Sequence, residues 1–374
     1  INHSIIKYLF SYSMGDSHVP LIDFSNYENK NQILGHGTYG TVYLFEEKTT
    51  KQLFAAKVLN GNVPPEDFDK TLHRELECLS ILHHPAIISL VGYSPTDQND
   101  NPFPTFLCEY MPNKSLGFFL HNKSHPAKSK WNNTKLFCNI LGICLAMAYI
   151  HDTGLIHRDL KLDNVLIDEN LYPKICDFGT ARFNSGDRKT LLVGTAVYMA
   201  PEIIDTESFY TSAVDVYSFA MILYELYSGK PPALNSTMGL LKLFTAIQDG
   251  KRPDLKNVPG KAQQDIIAQC WDNEPSLRPT FHELTHHFLH DPELRPDDLD
   301  ENEVNEYLSQ FGLSLDSDFI PRFSLSSTGI PSVDSIDVLG ENSDKDDWSE
   351  RIMRTNTISD LKNLMLQFIS EINN

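Results

Sequence analysis

Residues 157–164 read HRDLKLDN, and residues 177–179, which begin thirteen positions further on, read DFG. Asp159 can accept the proton of a substrate hydroxyl, and Lys161 can offset charge on a phosphoryl group. Asn164 and the DFG aspartate supply oxygen ligands of the hard kind that Mg²⁺ prefers. The two motifs therefore favour phosphoryl transfer, which needs charge neutralisation and alignment more than covalent help.

A glycine-rich segment lies far upstream, where residues 34–42 read LGHGTYGTV between two predicted strands. Glycine has no Cβ, so its backbone amides can approach a polyphosphate closely. A dinucleotide-binding fingerprint would continue into a helix, whereas a second strand follows here. The segment therefore argues against NAD binding and is compatible with a nucleotide phosphate site.

A lysine lies inside the next apolar strand, where residues 55–58 read AAKV. Buried lysines are rare unless they are paired, and Glu75 on the following predicted helix is the natural partner of Lys57. An ammonium held by a carboxylate is a rigid cation for the α- and β-phosphates of a nucleotide. An ordinary edge-strand lysine is the alternative if Lys57 is considered alone.

The pattern of apolar residues changes along the chain. Alternation over residues 32–59 predicts two hairpin-like strand pairs, helical spacing predicts a helix over 68–82, and further strands are expected at 87–92 and 105–110. Helical patterns then dominate, at residues 136–151, 213–228, 240–248, 263–271 and 280–289. The sequence predicts a small sheet-rich lobe followed by a larger helical lobe.

The motifs above, with MAPE at residues 199–202, occur in the order found in eukaryotic protein kinases, and the sequence resembles that family. The resemblance covers roughly residues 27–289. It implies an α+β, bilobal protein kinase fold with an N-lobe over about 27–111 and a C-lobe over about 112–289. It also implies ATP and Mg²⁺ as cofactors and protein substrates as partners.

The resemblance assigns a role to each matching residue. Asp159 is the implied catalytic base, Lys161 the phosphate-facing lysine, and Lys57 with Glu75 the ion pair of the ATP site. Asn164 and Asp177 are the implied metal ligands. The implied ATP contacts are Leu34, Gly35, Gly37, Gly40, Val42, Ala55, Lys57, Cys108, Glu109 and Met111.

The resemblance places the hinge between the lobes at residues 106–111 and Cys108 at the gatekeeper position. A cysteine is less common at this position than Thr, Met or Leu. Its short side chain predicts an open back pocket. Burial raises the pKa of a thiol, which argues against a reactive cysteine there.

Two sets of motifs bear on the hydroxyl that accepts the phosphate. Lys161 and the GT pair at 194–195 are similar to serine/threonine kinases, whereas residues 215–220 and 270–275 are similar to tyrosine kinases. This mixture resembles the tyrosine-kinase-like group of serine/threonine kinases, with dual specificity as the alternative. A catalytically silent pseudokinase scaffold is the other alternative, but such proteins usually lack a motif residue that is present here.

The resemblance places an activation segment at residues 180–198. Arg158, directly before the implied base, suggests regulation through this segment. Kinases with this arginine often need a phosphate on that segment to neutralise it and order the loop, which implies an upstream kinase. Thr190 is the favoured site, Ser185 is a second hydroxyl, and Thr195 is expected to be structural. Glu202 and Arg278 resemble the buried ion pair of the family's C-lobe.

Composition excludes several classes of function. The formal net charge is −19, so the chain would repel nucleic acid and anionic membrane surfaces. The six cysteines lack CxxC spacing, which favours reduced thiols in a cytoplasmic protein. A role in signal transduction is what the resemblance to kinases implies. The longest apolar run, residues 136–150, is shorter than the ~20 residues that span a bilayer. No signal peptide pattern opens the sequence, but Ile1 leaves open whether a segment precedes it.

The ends of the chain differ from the central part. Residues 1–26 form a lead-in without clear periodicity, and residues 290–374 are acidic and predicted to be largely flexible. Two exceptions are expected: a short acidic helix over 301–311 and an amphipathic helix over 358–372. The second would serve docking or oligomerisation, and the alternatives are that it folds back on its own domain or begins a truncated further domain. A further alternative is therefore an enzyme whose main biological role is delivered by this acidic tail as a docking module.

His282, His286 and His290 fall four residues apart on a predicted helix, a spacing that metals can use. No cysteine or acidic ligand joins them in sequence. A solvated helix face is the expected arrangement.

Overall fold

The amino-terminal lobe is built on a five-stranded antiparallel sheet with the strand order β1-β2-β3-β5-β4. The strands are β1 (Tyr27–Gly37), β2 (Gly40–Glu47), β3 (Leu53–Leu59), β4 (Leu90–Ser94) and β5 (Thr105–Glu109). The structure, a computed structural model, describes residues 19–37, 40–59, 65–183, 196–204, 211–234, 239–318, 320–325 and 331–333. The hairpins predicted over residues 32–59 correspond to β1, β2 and β3.

The two faces of this sheet have different partners. One face buries Phe45, Phe54 and Leu107 beneath the lead-in residues, which include Ile22. The other face packs against helix α1 (Pro65–Ile81), whose buried leucines meet Tyr93 and Phe106 of the sheet. Alternate residues of each strand therefore point toward α1, as the pleat of a strand requires.

The strand predicted over residues 87–92 is displaced toward the carboxyl terminus. Ile87 forms an isolated parallel bridge with Ile175 instead, and the Ile88 amide donates to the Ile175 carbonyl at 2.9 Å. Pairing with β5 begins only at Leu90. The apolar pattern was continuous across this point, but its two halves hydrogen-bond to different lobes.

Helices form the larger lobe, as predicted. They are α2 (Leu116–His121), α3 (Asn133–Asp152), α4 (Pro201–Ile204), α5 (Ala213–Ser228), α6 (Leu240–Gln248), α7 (Lys261–Cys270) and α8 (Phe281–His290). The Asn132 side chain caps α3, and a capping box of Thr280 and Glu283 begins α8. The fold is the α+β, two-lobed arrangement that the sequence predicted.

Helix α3 is long and apolar enough to span a membrane by length and composition alone. However, 83% of its most apolar window is buried inside the fold. Asn139 lies in this window, and its amide donates to the carbonyls of Lys135 and Leu171. These contacts are those of a core helix.

Short strand pairs hold the polar motifs on the larger lobe. β6 (Leu155–Ile156) pairs with β9 (Arg182–Phe183), and β7 (Val165–Ile167) pairs with β8 (Pro173–Ile175). HRDLKLDN runs between β6 and β7, and DFG runs between β8 and β9. Both motifs are thus loops fixed at each end by a ladder.

The folded region continues past residue 290, where the sequence predicted a largely flexible tail. We define residues 291–325 as the C-terminal extension; its helix α9 (Glu301–Ser309) confirms the short acidic helix expected there. Among its described residues, the extension buries six apolar side chains in the core of the larger lobe: Leu294, Val304, Tyr307, Leu308, Leu313 and Leu315. This packing comes from a few apolar residues spaced along an acidic segment. The average composition of the segment did not predict that they would be buried. Two short strands, β10 (Phe323–Leu325) and β11 (Pro331–Val333), follow.

The lead-in is also partly folded. Ile22 donates its amide to the Tyr93 carbonyl at 2.8 Å, and the Tyr93 amide donates to the Pro20 carbonyl at 2.9 Å. A Cβ on Gly92 would lie 3.0 Å from the Pro20 oxygen, so the glycine permits this close approach. Residues 20–22 therefore cover the edge of β4.

Candidate active site

The strand register collects the predicted nucleotide contacts on one face of the sheet. Val42 stands opposite Lys57, and Ala55 stands opposite Cys108. Because Ala55 and Lys57 are two residues apart in β3, all four side chains share the face toward α1. Leu34 and Gly35 lie in β1, and Glu109 and Met111 lie at and just beyond the end of β5.

The glycines of the first hairpin have two different roles. A Cβ on Gly40 would lie 2.4 Å from the Val58 carbonyl oxygen, so β3 requires a glycine there. A Cβ on Gly35 would meet nothing within 4 Å. Gly35 therefore borders open space, as a residue beside a phosphate site would. Gly37 ends β1.

Lys57 joins the two halves of the site. Its Nζ lies 2.5 Å from Glu75 Oε1 on α1 and 3.6 Å from Asp177 Oδ1 of the DFG motif. Burial alone would lower the pKa of Lys57, but the charges of Glu75 and Asp177 raise it well above its ordinary value. The ammonium is therefore protonated and fixed between strand, helix and DFG loop.

The DFG aspartate is ionised for a related reason. Burial opposes its charge, but Lys57, followed by His157 and Lys161, lowers the pKa of Asp177 below its ordinary value. Burial raises the pKa of the Glu75 carboxyl, and Lys57 acts against this rise. With the ammonium at 2.5 Å, the Lys57–Glu75 pair is the charged contact that the sequence predicted.

The HRDLKLDN loop brings three predicted residues together. Lys161 Nζ lies 2.6 Å from Asp159 Oδ2, and Asn164 Nδ2 donates to the same oxygen at 2.9 Å. Asn164 Nδ2 also donates to the Asp159 backbone carbonyl at 2.7 Å. Two residues of the same loop therefore orient the Asp159 carboxylate. Because Asn164 faces Asp159 with its Nδ2 atom, its Oδ1 atom points away from Asp159.

Asp215, at the start of α5, holds this loop from beneath, a role that sequence reasoning missed. Its fully buried carboxylate accepts the amides of His157 and Arg158 at 2.8 Å each and contacts His151 Nε2 at 2.9 Å. Burial opposes the charge, but the hydrogen bond and charge of His151 lower the pKa of Asp215. The available signal was a carboxylate in the first turn of an otherwise largely apolar helix.

His157 connects the two loops. Its Nε2 lies 3.1 Å from the Cys176 carbonyl, and its ring lies 5.2 Å from the ring of buried Phe178. The structure thus gives a positioning role to the histidine of HRD, which the sequence analysis did not assign. Arg158 and Asp177 both have left-handed backbone, with φ of 68° and 66°. Such conformations persist where the surroundings hold them, as at functional sites.

Arg158 lies beneath the start of the activation segment. Its side chain is buried, and its Nε donates to the Thr180 carbonyl at 2.6 Å. The Thr180 hydroxyl in turn donates to the His157 carbonyl at 3.0 Å. The predicted regulatory hydroxyls Ser185, Thr190 and Thr195 lie outside the described residues, as does the predicted helix over 358–372.

The end of the activation segment is attached to α5. Tyr198 Oη donates to Glu225 Oε2 at 2.8 Å, and Ser218 Oγ donates to the Tyr198 carbonyl at 2.8 Å. His121 Nε2, at the end of α2, lies 2.7 Å from the other Glu225 oxygen. Glu225 therefore links α2 to the segment that precedes α4.

The predicted Glu202–Arg278 ion pair is present. Two guanidinium nitrogens of Arg278 contact the two Glu202 oxygens at 2.5 and 2.8 Å, with the Arg278 side chain fully buried. The arginine also donates to the Ala213 and Asp272 carbonyls. The pair ties α4 to the loop before α8.

The hinge between the lobes is braced from the larger lobe. Glu109 Oε1 lies 2.9 Å from Lys174 Nζ and accepts the Ser89 amide at 2.8 Å. Burial raises the pKa of the Cys108 thiol to about 12, in agreement with the prediction that this cysteine is not a reactive thiolate.

The histidines of α8 do not form a metal site. Within the described residues, no group of three or more His, Cys, Asp or Glu side chains is placed to hold a metal ion. His282 contacts the Asp152 carboxylate at 2.9 Å instead, while His286 is exposed.

The arrangement fits a magnesium nucleotide. An ionised carboxylate and an amide oxygen, from Asp177 and Asn164, are the hard ligands that Mg²⁺ takes. Lys57 supplies a fixed positive charge 3.6 Å from Asp177 Oδ1. The structure therefore brings together residues that sequence reasoning assigned from motifs 120 positions apart.

A family model described as "Protein kinase domain" matches residues 27–289. A receptor-like serine/threonine-protein kinase of Arabidopsis thaliana is 31% identical over 280 residues, covering 68% of this chain and 75% of that protein. Receptor-interacting serine/threonine-protein kinase 3 of Homo sapiens is 28% identical over 282 residues, covering 71% and 51%. The RGS domain-containing serine/threonine-protein kinase A of Dictyostelium discoideum is 34% identical over 251 residues, covering 66% and 21%.

Several curated relatives are much longer than the segment they share with this chain. For three of them the chain spans 26%, 20% and 46% of the relative's length. What is similar is the two-lobed catalytic region.

Proposed function

Because this chain belongs to the protein kinase family, we propose that it transfers the γ-phosphoryl group of Mg-ATP to serine or threonine hydroxyls of protein substrates. The observation that carries the proposal is the three-way contact of Lys57 with Glu75 and Asp177. It joins the smaller lobe, α1 and the DFG loop in one charged cluster.

The chain's own residues perform separable tasks in this reaction. Asp159, oriented by Asn164, accepts the proton of the attacking hydroxyl. Lys161, whose Nζ lies 2.6 Å from Asp159 Oδ2, would offset charge on the transferring phosphoryl group. Lys57 orients the nucleotide phosphates. Mg²⁺, when held by Asn164 and Asp177, would neutralise charge on the phosphate oxygens.

We propose regulation through the activation segment as well. Arg158 is buried in the HRDLKLDN loop, and its Nε donates to the Thr180 carbonyl. Phosphorylation of Thr190 by an upstream kinase would place negative charge near this arginine. Replacing Thr190 with Ala would then lower activity without unfolding the domain, and equal activity in both proteins would count against this site.

The pseudokinase alternative predicts nucleotide binding or partner binding without transfer. The full set of Lys57, Asp159, Asn164 and Asp177 supports the enzyme. A cytoplasmic location, a role in signal transduction and a partner for the helix predicted over 358–372 are further proposals that rest on sequence alone.

The test is phosphoryl transfer from Mg-ATP to a serine/threonine peptide library, with Asp159→Asn as the matched control. We expect the wild type to transfer phosphate and the variant to lose at least about a hundredfold in kcat, because proton transfer by a positioned group is worth that much. Transfer by neither protein, after treatment with upstream kinases and with ATP binding retained, would favour the pseudokinase.

A further inference from the structure

Aromatic rings connect the C-terminal extension to the loop between α1 and β4. Tyr307 stacks on Tyr172 with ring centroids 4.2 Å apart, and Phe311 lies edge-on to Tyr307 at 5.2 Å. Phe311 then packs on His84 at 5.2 Å. His84 stacks on its other side against Tyr149 of α3, at 5.1 Å. The extension thus holds His84 between itself and α3.

His84 occupies the loop that leaves α1, three residues after Ile81. Its Nδ1 accepts the Ala86 amide at 3.2 Å, and its carbonyl accepts the Ile87 amide at 3.0 Å. The neighbouring His83 amide donates to Tyr149 Oη at 3.0 Å. The ring and backbone of His84 therefore shape the whole turn.

This loop is connected through the backbone to the segments that carry both charged partners of Lys57. The Ile175 amide donates to the Ala86 carbonyl at 2.8 Å, and Ile175 lies two residues before Asp177. On the other side the loop follows directly from α1, the helix that carries Glu75. Movement of the loop would displace Glu75 and Asp177 relative to Lys57.

We propose that Phe311 is a positioning residue for the kinase reaction, acting through His84 to hold α1 and the DFG loop where Lys57 meets both carboxylates. Phe311 lies beyond residue 289, where the family model ends. The inference rests on the proposed function only where kcat and KM are measured, since hydrogen exchange does not need activity.

The physical basis is a population shift. If the chain also samples an arrangement in which α1 lies further from Lys57, the loss of an aromatic pair that holds the observed arrangement shifts the balance between the two states. Fewer molecules would then have the complete charged cluster, and kcat would fall in proportion. The surface that binds the peptide substrate would be unchanged.

The experiment compares the full chain with Phe311→Ala, Phe311→Tyr and Phe323→Ala. Phe323 is the matched control because it is a half-buried phenylalanine of the same extension that packs on Tyr149 at 4.9 Å. For each protein, kcat and the KM for peptide are measured, together with amide hydrogen exchange over residues 76–88.

We expect Phe311→Ala to lower kcat about three- to tenfold, the range that losing one aromatic pair allows, with an unchanged KM for peptide. Exchange over residues 76–88 should accelerate. Phe311→Tyr, which keeps the ring, and Phe323→Ala should both stay within about twofold of wild type.

Equal kcat and equal exchange in Phe311→Ala and Phe323→Ala would overturn the proposal. So would faster exchange confined to the extension and α3, because that result would mean a purely structural role. If the wild type transfers no phosphate, the exchange data still decide, so the proposed function can fail while this inference stands. If Phe311→Ala does not fold, Phe311→Leu replaces it with the same criteria.

Discussion

Individual buried charges in this protein act through their partners. The Arg278 side chain is fully buried against Glu202, and Asp215 is fully buried against the HRDLKLDN loop. Motif knowledge predicted the first pair because both residues lie in recognisable segments. Motif knowledge assigned no contact to Asp215, since two partners of that carboxylate are backbone amides 57 and 58 positions away and the third is the His151 ring.

Replacing Glu202 with Gln should destabilise the fold by about 3–5 kcal/mol, because the change leaves the Arg278 guanidinium buried without its counter-charge. Urea denaturation measures the change in the free energy of unfolding. Asp265→Asn is the control, since Asp265 pairs with Lys261 on the surface and should cost less than about 1 kcal/mol. Similar losses in the two variants would contradict the prediction.

His84 should make stability depend on pH. Burial, with a smaller contribution from Lys174, lowers the pKa of His84 from 6.5 to about 3 in the folded protein. Between these values the unfolded chain binds a proton that the folded chain does not. The free energy of unfolding therefore falls as pH drops below about 6.5, by up to about 1.4 kcal/mol per pH unit from this residue.

The measurement is urea denaturation at several pH values between 5 and 7.5 for the wild type and His84→Asn. The asparagine side chain can still accept the Ala86 amide but does not titrate. We expect a shallower dependence on pH in the variant, and parallel curves would show that His84 does not carry the effect.

At the scale of elements, helix and strand periods predicted most of the fold. α3 and α5 were recognisable because long apolar runs ended at capping or glycine residues. The start of β4 could not be predicted in the same way. Nothing in the apolar run around Ile87 shows that its first residues would pair with Ile175 of β8. Nor did any pattern show that α9 would lie against α3.

The contact of α9 with α3 is tight at Gly142. A Cβ there would lie 2.0 Å from Tyr307 Oη and 2.6 Å from Pro173 Cγ. Gly142→Ala should therefore destabilise the protein by about 1–3 kcal/mol, although alanine ordinarily favours a helix by about 1 kcal/mol. Thermal unfolding measures the loss.

Tyr307→Phe should partly restore the Gly142→Ala variant, because it removes the nearer clashing atom. Alone it should leave stability unchanged or raise it by about 1 kcal/mol, since Tyr307 Oη is buried and has no hydrogen-bond partner within the described part of the chain. Additive losses in the double variant would show that the two residues do not meet.

At the scale of the whole molecule, the boundary taken from the resemblance differs from the boundary of the packed lobe. The charge of the segment after residue 290 predicted flexibility, yet its apolar residues complete the core. Lys135 also pairs with Glu303 at 2.6 Å and lies 4.0 Å over the Tyr172 ring. Average composition could not reveal which few residues of an acidic segment are buried.

Ending the chain at residue 290 should therefore cost at least about 3 kcal/mol relative to ending it at residue 325, because burial of each large apolar side chain is worth about 1.5–3 kcal/mol before ordering costs. The free energies of unfolding of the two truncated proteins test this. Equal values would mean that the extension is a passive appendage.

Because one Glu225 oxygen contacts His121 and the other accepts the Tyr198 hydroxyl, His121 is a natural spectroscopic probe of the Tyr198 contact. Its imidazole is half-exposed, with 51% of the side chain accessible, yet it contacts the carboxylate that holds Tyr198 beside the activation segment. Release of Tyr198 would alter the hydrogen bond at the ring and hence its proton and nitrogen NMR frequencies. Those signals would therefore report whether Tyr198 remains bound to Glu225, without any added label.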